Sequence, residues 1–235
     1  MGELEFRPGP HEYWKDGRRI PVFHDEAHAV GLIHGTEHIP ERYRIAGSNT
    51  HAAIHFALEG DLDEASVAPA DMVLVRKALA YLAPWRERGC KIVAERPVYS
   101  ELGYATCADT YWIEGTTLHV LDWKSKVRLP WYPLQLVATA DAVRETIHRE
   151  MRDAFVPTLN LRLVYLDHDP IIVEPVYEDQ EQELRAEWGR CCEHYDWMVR
   201  NGIVRPKTVA VPEPETTVTD ADLAEAQRLL REAQA

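Results

Sequence analysis

Residues 103–135 read GYATCADTYWIEGTTLHVLDWKSKVRLPWYPLQ. This run places Asp109 on one strand, turns tightly at Glu114-Gly115, and forms a second strand that ends Asp122-Trp123-Lys124. Gln135 then opens a helix. Side chains two apart on a strand point to the same face, so Asp122 and Lys124 share a face with Leu118 and Val120. A hairpin partner brings Asp109 beside them. Two carboxylates and an ammonium converging at one sheet edge repel or lose solvation in an ordinary core, and a bound divalent cation removes that cost. The plainer reading of the same residues is a solvated hairpin end. Leu118 and Val120 on one face, with Leu121 and Trp123 on the other, make the second strand apolar on both sides. That implies a central position in a sheet covered by helices on both faces.

The flanking sequence extends this α/β pattern. Strands are expected at 91–99, 104–112 and 117–124, with Glu95 on the alternation of Val93 and Lys91. Pro130 and Pro133 start a helix reaching Glu150 that carries Leu134, Val137, Ala138 and Asp141. Residues 159–167 and 171–177 form a further hairpin. On the N-terminal side, Asp16-Gly17 suits the positive φ angles of a hairpin turn between 11–15 and 18–23. Gly47-Ser48-Asn49 is expected to cap a helix over 50–59 with His51, Ile54, His55 and Leu58 inward, and Gly60 to stop it. Helices follow at 70–86 and 178–201, the second with Leu184, Trp188, Cys191, Tyr195 and Met198 on one stripe and Gly202 as its stop. Pro206, Pro212 and Pro214 mark a linker before a last short helix. The expected organisation is a domain over 1–204 and an appendage over 205–235.

The chain has 235 residues, 46% of them hydrophobic, which is enough for a proper core. Its formal charge of −13 argues against coating nucleic acid through a broad basic surface, though not against a local basic groove. Cys90, Cys107, Cys191 and Cys192 contain no C-x-x-C pair, which suits a reducing cytoplasm and not a disulfide framework or an iron–sulfur cluster. Neither a signal peptide nor a membrane helix is indicated. In His24-Asp25-Glu26-Ala27-His28 the glutamate stands at the wrong position for the zinc-protease helix, so this stretch, like His34 and His38, reads as ordinary structure.

Taken in order, Gly47-x-x-x-His51, Glu95, Asp109, Asp122-Trp123-Lys124 and Gln135 resemble the PD-(D/E)XK nuclease superfamily, in its RecB-type, phage-exonuclease-like branch. The opening that ends Ile20-Pro21-Val22 is similar to phage members as well, so the likeness spans about His11 to Tyr177. The chain departs from the family pattern at Thr106, where a glycine is usual, and at Thr139, where a tyrosine is. The resemblance implies a restriction-endonuclease-like core with a central mixed sheet flanked by helices, an N-terminal hairpin and a C-terminal helical appendage. It also implies a site for one or two Mg²⁺ or Mn²⁺ ions. By it, Asp109 and Asp122 are metal ligands and the Trp123 carbonyl is a backbone ligand. His51 and Glu95 add a ligand or an outer contact, Lys124 orients or activates the attacking water, and Gln135 touches the substrate or Lys124.

Oxygen ligands suit Mg²⁺, and phosphodiester cleavage needs an activated water and charge stabilisation. With two carboxylates beside it, Lys124 suits charge stabilisation and water positioning better than a free-amine base. The implied function is a metal-dependent DNA nuclease, an exonuclease of phage-type recombination or repair, with DNA in a groove lined by Lys124, Lys126, Arg128 and Arg96. Trp131 and Tyr132 either stack on unpaired bases or pack the helix start. The tail is a candidate contact for a recombination or single-strand-binding protein. A competing reading is a catalytically weak nuclease-like fold used as a DNA-end-binding or protein-interaction module, and a third is an RNA or small-molecule phosphodiesterase.

Overall fold

A computed structural model describes residues 4–7, 12–33, 41–124, 127–151 and 158–205, with the backbone alone at 41–44. Strands β1 (Glu5–Arg7), β2 (Glu12–Lys15) and β3 (Arg18–Ile20) form a small antiparallel sheet in that order. Asp16 (φ +51°) and Gly17 (φ +74°) make the two-residue turn between β2 and β3, as the dipeptide predicts.

Two features depart from the expected hairpin. β1 adds a third strand, and the segment expected to stay extended to Phe23 instead turns into helix α1 (Phe23–Ala29). The turn has a local cause. The Ala105 N–H donates to the Pro21 carbonyl at 2.9 Å, which fastens the chain to the main sheet. The Asp25 carboxylate then accepts the Val22 N–H at 3.4 Å and the Arg19 guanidinium at 2.9 Å, while Phe23 and Ala27 drop into the core.

The main sheet has five strands in the order β4 (Val93–Tyr99), β5 (Ala105–Glu114), β6 (Thr117–Lys124), β7 (Thr158–Tyr165) and β8 (Ile172–Val176). All neighbours are antiparallel except β6 and β7. A parallel neighbour needs a crossover, and α4 (Tyr132–Glu150) supplies it. Helices cover both faces of this mixed sheet. Leu118 and Val120 of β6 pack with Val137 and Val143 of α4 and with Trp188 of α5 (Glu178–Arg200). Leu121 and Trp123 pack on the other face with Ile54 of α2 (Glu41–Glu59) and with Val75 and Leu82 of α3 (Pro69–Glu87).

The second helix corrects its expected start. It begins at Glu41 and runs through Gly47-Ser48-Asn49, where a cap was expected. Ser48 and Asn49 are exposed, and the hydroxyl of Thr50 bonds back to the Ala46 carbonyl at 3.1 Å. Packing of Ala53 and Ile54 carries the helix, so no polar cap is required at that point. Gly60, at φ +79°, ends it.

The described elements belong to a unit reaching Val204. The proposed linker and terminal helix beyond residue 205, together with His11, His34, His38 and Lys126, lie outside the described residues. No described helix is long and apolar enough to cross a membrane.

Candidate metal centre

The site begins where a ladder stops. β5 and β6 pair from Glu114 opposite Thr117 as far as Thr110 opposite Leu121. Past that point β5 continues with β4, and β6 continues with β7 as far as Lys124 opposite Tyr165. The Trp123 N–H thereby loses its strand partner, and the Asp109 carboxylate accepts it at 2.9 Å. A buried amide needs an acceptor, and here an acidic side chain at the mouth of the fork provides it. The fork also lets groups from the two helical layers meet.

His51, from α2, enters on one side. Its Nε2 lies 3.2 Å from the Trp123 carbonyl, and its Nδ1 lies 3.5 Å from both Glu95 Oε1 and Asp109 Oδ2. Ligand atoms of His51, Glu95 and Asp109 fall within 4.8 Å of one another, a spacing that could hold a metal ion. Glu95 reaches this place through its backbone. Its φ of +48° is in the left-handed region, so the simple alternation expected for it with Val93 breaks down. Such a conformation costs a non-glycine residue on the order of 1–3 kcal/mol. Its Oε1 is buried and has no hydrogen-bond donor among the described residues.

Lys124 and Asp122 stand on the α4 side, on the face of Leu118 and Val120 as the strand alternation requires. The Lys124 ammonium lies 2.7 Å from Asp122 Oδ2, as an ion pair whose angle falls short of a hydrogen bond. It donates to Gln135 Oε1 at 3.1 Å and sits 4.0 Å from the centre of the Tyr132 ring. Three groups thus hold one flexible side chain.

The electrostatics record the crowding. Burial pushes Asp122 up to about 7, with Asp109 adding to the shift and Lys124 opposing it. Burial works against an imidazolium at His51, yet Asp109, Glu95 and Asp122 together outweigh it and hold His51 up to about 9. Three carboxylates face two cationic side chains, and two carboxylate oxygens, Glu95 Oε1 and Asp122 Oδ2, lack a hydrogen-bond donor among the described residues. A hard divalent cation matches that demand. With Nε2 turned to a backbone carbonyl, the ring is fixed with Nδ1 toward the acids, the usual support for a metal-binding histidine.

The structure adds three residues to the site: Tyr132, which the sequence offers as a base-stacking or helix-packing ring, and His24 and Cys107, to which it assigns no role. His24 lies among Lys124, Asp122 and His28, and burial followed by the Lys124 charge lowers it to about 4. Its ring meets Trp131 edge-on at 5.3 Å. No local signal marks it, because its place depends on how α1 docks. Tyr132 takes the Lys124 ammonium, whereas Trp131 packs toward Phe23 at 6.2 Å. Cys107 donates to Glu95 Oε2 at 3.7 Å, and its signal was available: it precedes Asp109 by two on the same strand. All four thiols are free, and no cluster of them forms. Asp141 is bound by Arg185 at 2.8 Å on the far part of α4 and serves packing.

No protein-family model and no curated protein matches the chain. Among solved structures it is similar to a crystal structure from Eubacterium rectale named "Putative exonuclease", at 12% identity and a TM-score of 0.42. That likeness covers 87% of this chain and 80% of the other. What the site can do is read from its own side chains.

Proposed function

We propose that the protein is a divalent-metal-dependent phosphodiesterase acting on DNA, an exonuclease of recombination or repair. The carrying observation is the convergence of His51, Glu95 and Asp109 within 4.8 Å at the mouth of the strand fork. Lys124 is anchored on the opposite side by Asp122 and Gln135. The order of these residues along the chain, that of the PD-(D/E)XK nucleases, supports DNA as substrate and Mg²⁺ or Mn²⁺ as the ion.

A bound ion supplies Lewis-acid stabilisation of the phosphoryl oxygens and a water of lowered pKa. Asp109, Glu95 and His51 would hold that ion, with the Asp122 carboxylate near Asp109 adding negative charge. The Trp123 carbonyl fixes the His51 ring through Nε2. Lys124 offers positive charge where the phosphodiester gains negative charge, and Gln135 and Tyr132 keep its ammonium aimed there. Asp109 also ties the two strands together through the Trp123 N–H, so the ligand set and the fork depend on each other.

The substrate contact is local. Arg96 is paired with Glu150, and Arg128 with Glu174 at 2.7 Å, so neither is a bare phosphate ligand. This pairing and the −13 charge favour the second reading, a nuclease-like module that binds DNA ends or a protein without rapid cleavage. Cleavage assays on linear double-stranded DNA, single-stranded DNA and RNA with Mg²⁺ and Mn²⁺ separate the readings. Metal-dependent cleavage is expected of the wild type. Asp122→Ala and Lys124→Ala are each expected to lower it by at least about 10²-fold with the fold intact. Undiminished cleavage by either variant would refute the site.

A further inference from the structure

The strained backbone at Glu95 requires something to hold its carboxylate in place, and the structure shows what does. Cys107 and Asp109 both stand on β5, two residues apart and on one face. The Cys107 thiol donates to Glu95 Oε2 at 3.7 Å. Glu95 Oε1, the other oxygen, is the one turned to His51 Nδ1 at 3.5 Å, and it is buried without a hydrogen-bond donor among the described residues. Tyr13 of β2, 1% exposed, is buried near enough to Cys107, Glu95 and Asp109 that their charges add to burial in opposing ionisation of its hydroxyl. A line of groups therefore runs from the small N-terminal sheet through Tyr13 and Cys107 to Glu95, and ends at the place between His51 and Asp109.

We propose that Cys107, backed by Tyr13, is the positioning residue of the metal centre: its thiol occupies one oxygen of Glu95 and so presents the other to the ion. This rests on the metal-centre reading above. A glutamate side chain has three rotatable bonds, and a ligand free to turn forfeits affinity to the entropy of ordering it. A thiol is a weak donor, and an ionised, partly buried carboxylate is the kind of acceptor that strengthens its bond. The arrangement also gives the N-terminal sheet a task that the sequence did not reveal, since Tyr13 comes from its central strand.

The test is Mn²⁺ titration by calorimetry on the full chain, comparing wild type with Cys107→Val, Cys107→Ser, Tyr13→Phe and Asp109→Ala. Valine keeps the bulk and removes the donor; serine keeps a donor. Cys107→Val is expected to bind Mn²⁺ about tenfold or more weakly, the usual cost of losing an outer partner of a metal ligand. Cys107→Ser is expected to recover most of that loss, and Tyr13→Phe to weaken binding in the same direction. In a Glu95→Ala background, Cys107→Val is expected to change nothing further, which a general effect on folding would not produce. Should the valine variant not fold, Tyr13→Phe and Cys107→Ser carry the comparison. Wild-type affinity in Cys107→Val, or an equal loss in the Glu95→Ala background, overturns the role of Cys107 while leaving the centre standing if Asp109→Ala abolishes binding. No binding by the wild type, or full binding by Asp109→Ala, overturns the centre and this inference with it.

Discussion

At the scale of single residues, the centre crowds carboxylates together, disfavouring charge on Asp122 while favouring it on His51. Asp122 is buried beside Asp109, and His51 sits among three acids. An ion that binds only the folded state relieves this and stabilises by mass action. At about 100 times its Kd, Mn²⁺ is expected to add about 2.7 kcal/mol to the stability of the wild type. Thermal melts with and without Mn²⁺ check this. Asp109→Ala is expected to show little or no such gain, since it removes both a ligand and the acceptor of the Trp123 N–H. A gain of wild-type size in that variant would count against the ligand set.

At the scale of elements, α1 carries a pH-sensitive group away from the centre. Glu26 is 2% exposed and faces α5, where Cys192 donates to it and Asp196 lies close. Burial pushes its carboxyl up to about 7, with Asp196 and Asp25 adding to the rise and Cys192 opposing it. A folded-state pKa above the unfolded value of 4.5 means that the folded state holds the proton more tightly. The stabilisation is therefore fully present below about pH 4.5 and is lost as pH rises through 7. Glu26→Gln keeps the neutral shape, so it is expected to flatten this part of the pH profile and to raise Tm at pH 8 relative to wild type. The difference between the two proteins across pH 5 to 8, by thermal or urea denaturation, isolates Glu26 from other groups that titrate in that window. His24 is one such group. Burial lowers it to about 4, so its contribution runs the other way, present above its usual 6.5 and lost as pH falls through 4.

At the scale of the whole molecule, the charge of −13 and the pairing of Arg96 and Arg128 argue against a broad basic surface for a polyanion. Under the proposed function, binding to DNA would then depend on a few contacts near Lys124 and on the ion. The logarithm of kcat/KM against the logarithm of salt concentration, at constant free metal, is expected to have a slope no steeper than about −3, corresponding to two or three neutralised phosphates. A slope near −8 would count against so local a contact.

Much of this was legible from local chemistry. Strand β6 lies where its alternation puts it, with Asp122 and Lys124 on the Val120 face, because alternation is a property of the extended backbone. Asp16-Gly17 makes its turn, and Pro133 lies in the first turn of α4, for equally local reasons. The parts that were missed are long-range. Gly47-Ser48-Asn49 reads as a cap, yet packing of α2 on α3 extends the helix through it. The left-handed backbone at Glu95, the fork between β5 and β6, and the docking of α1 that brings His24 to Lys124 are decided by contacts between segments distant in the chain. No spacing in the sequence encodes them, because each exists only once both helical layers have closed on the sheet.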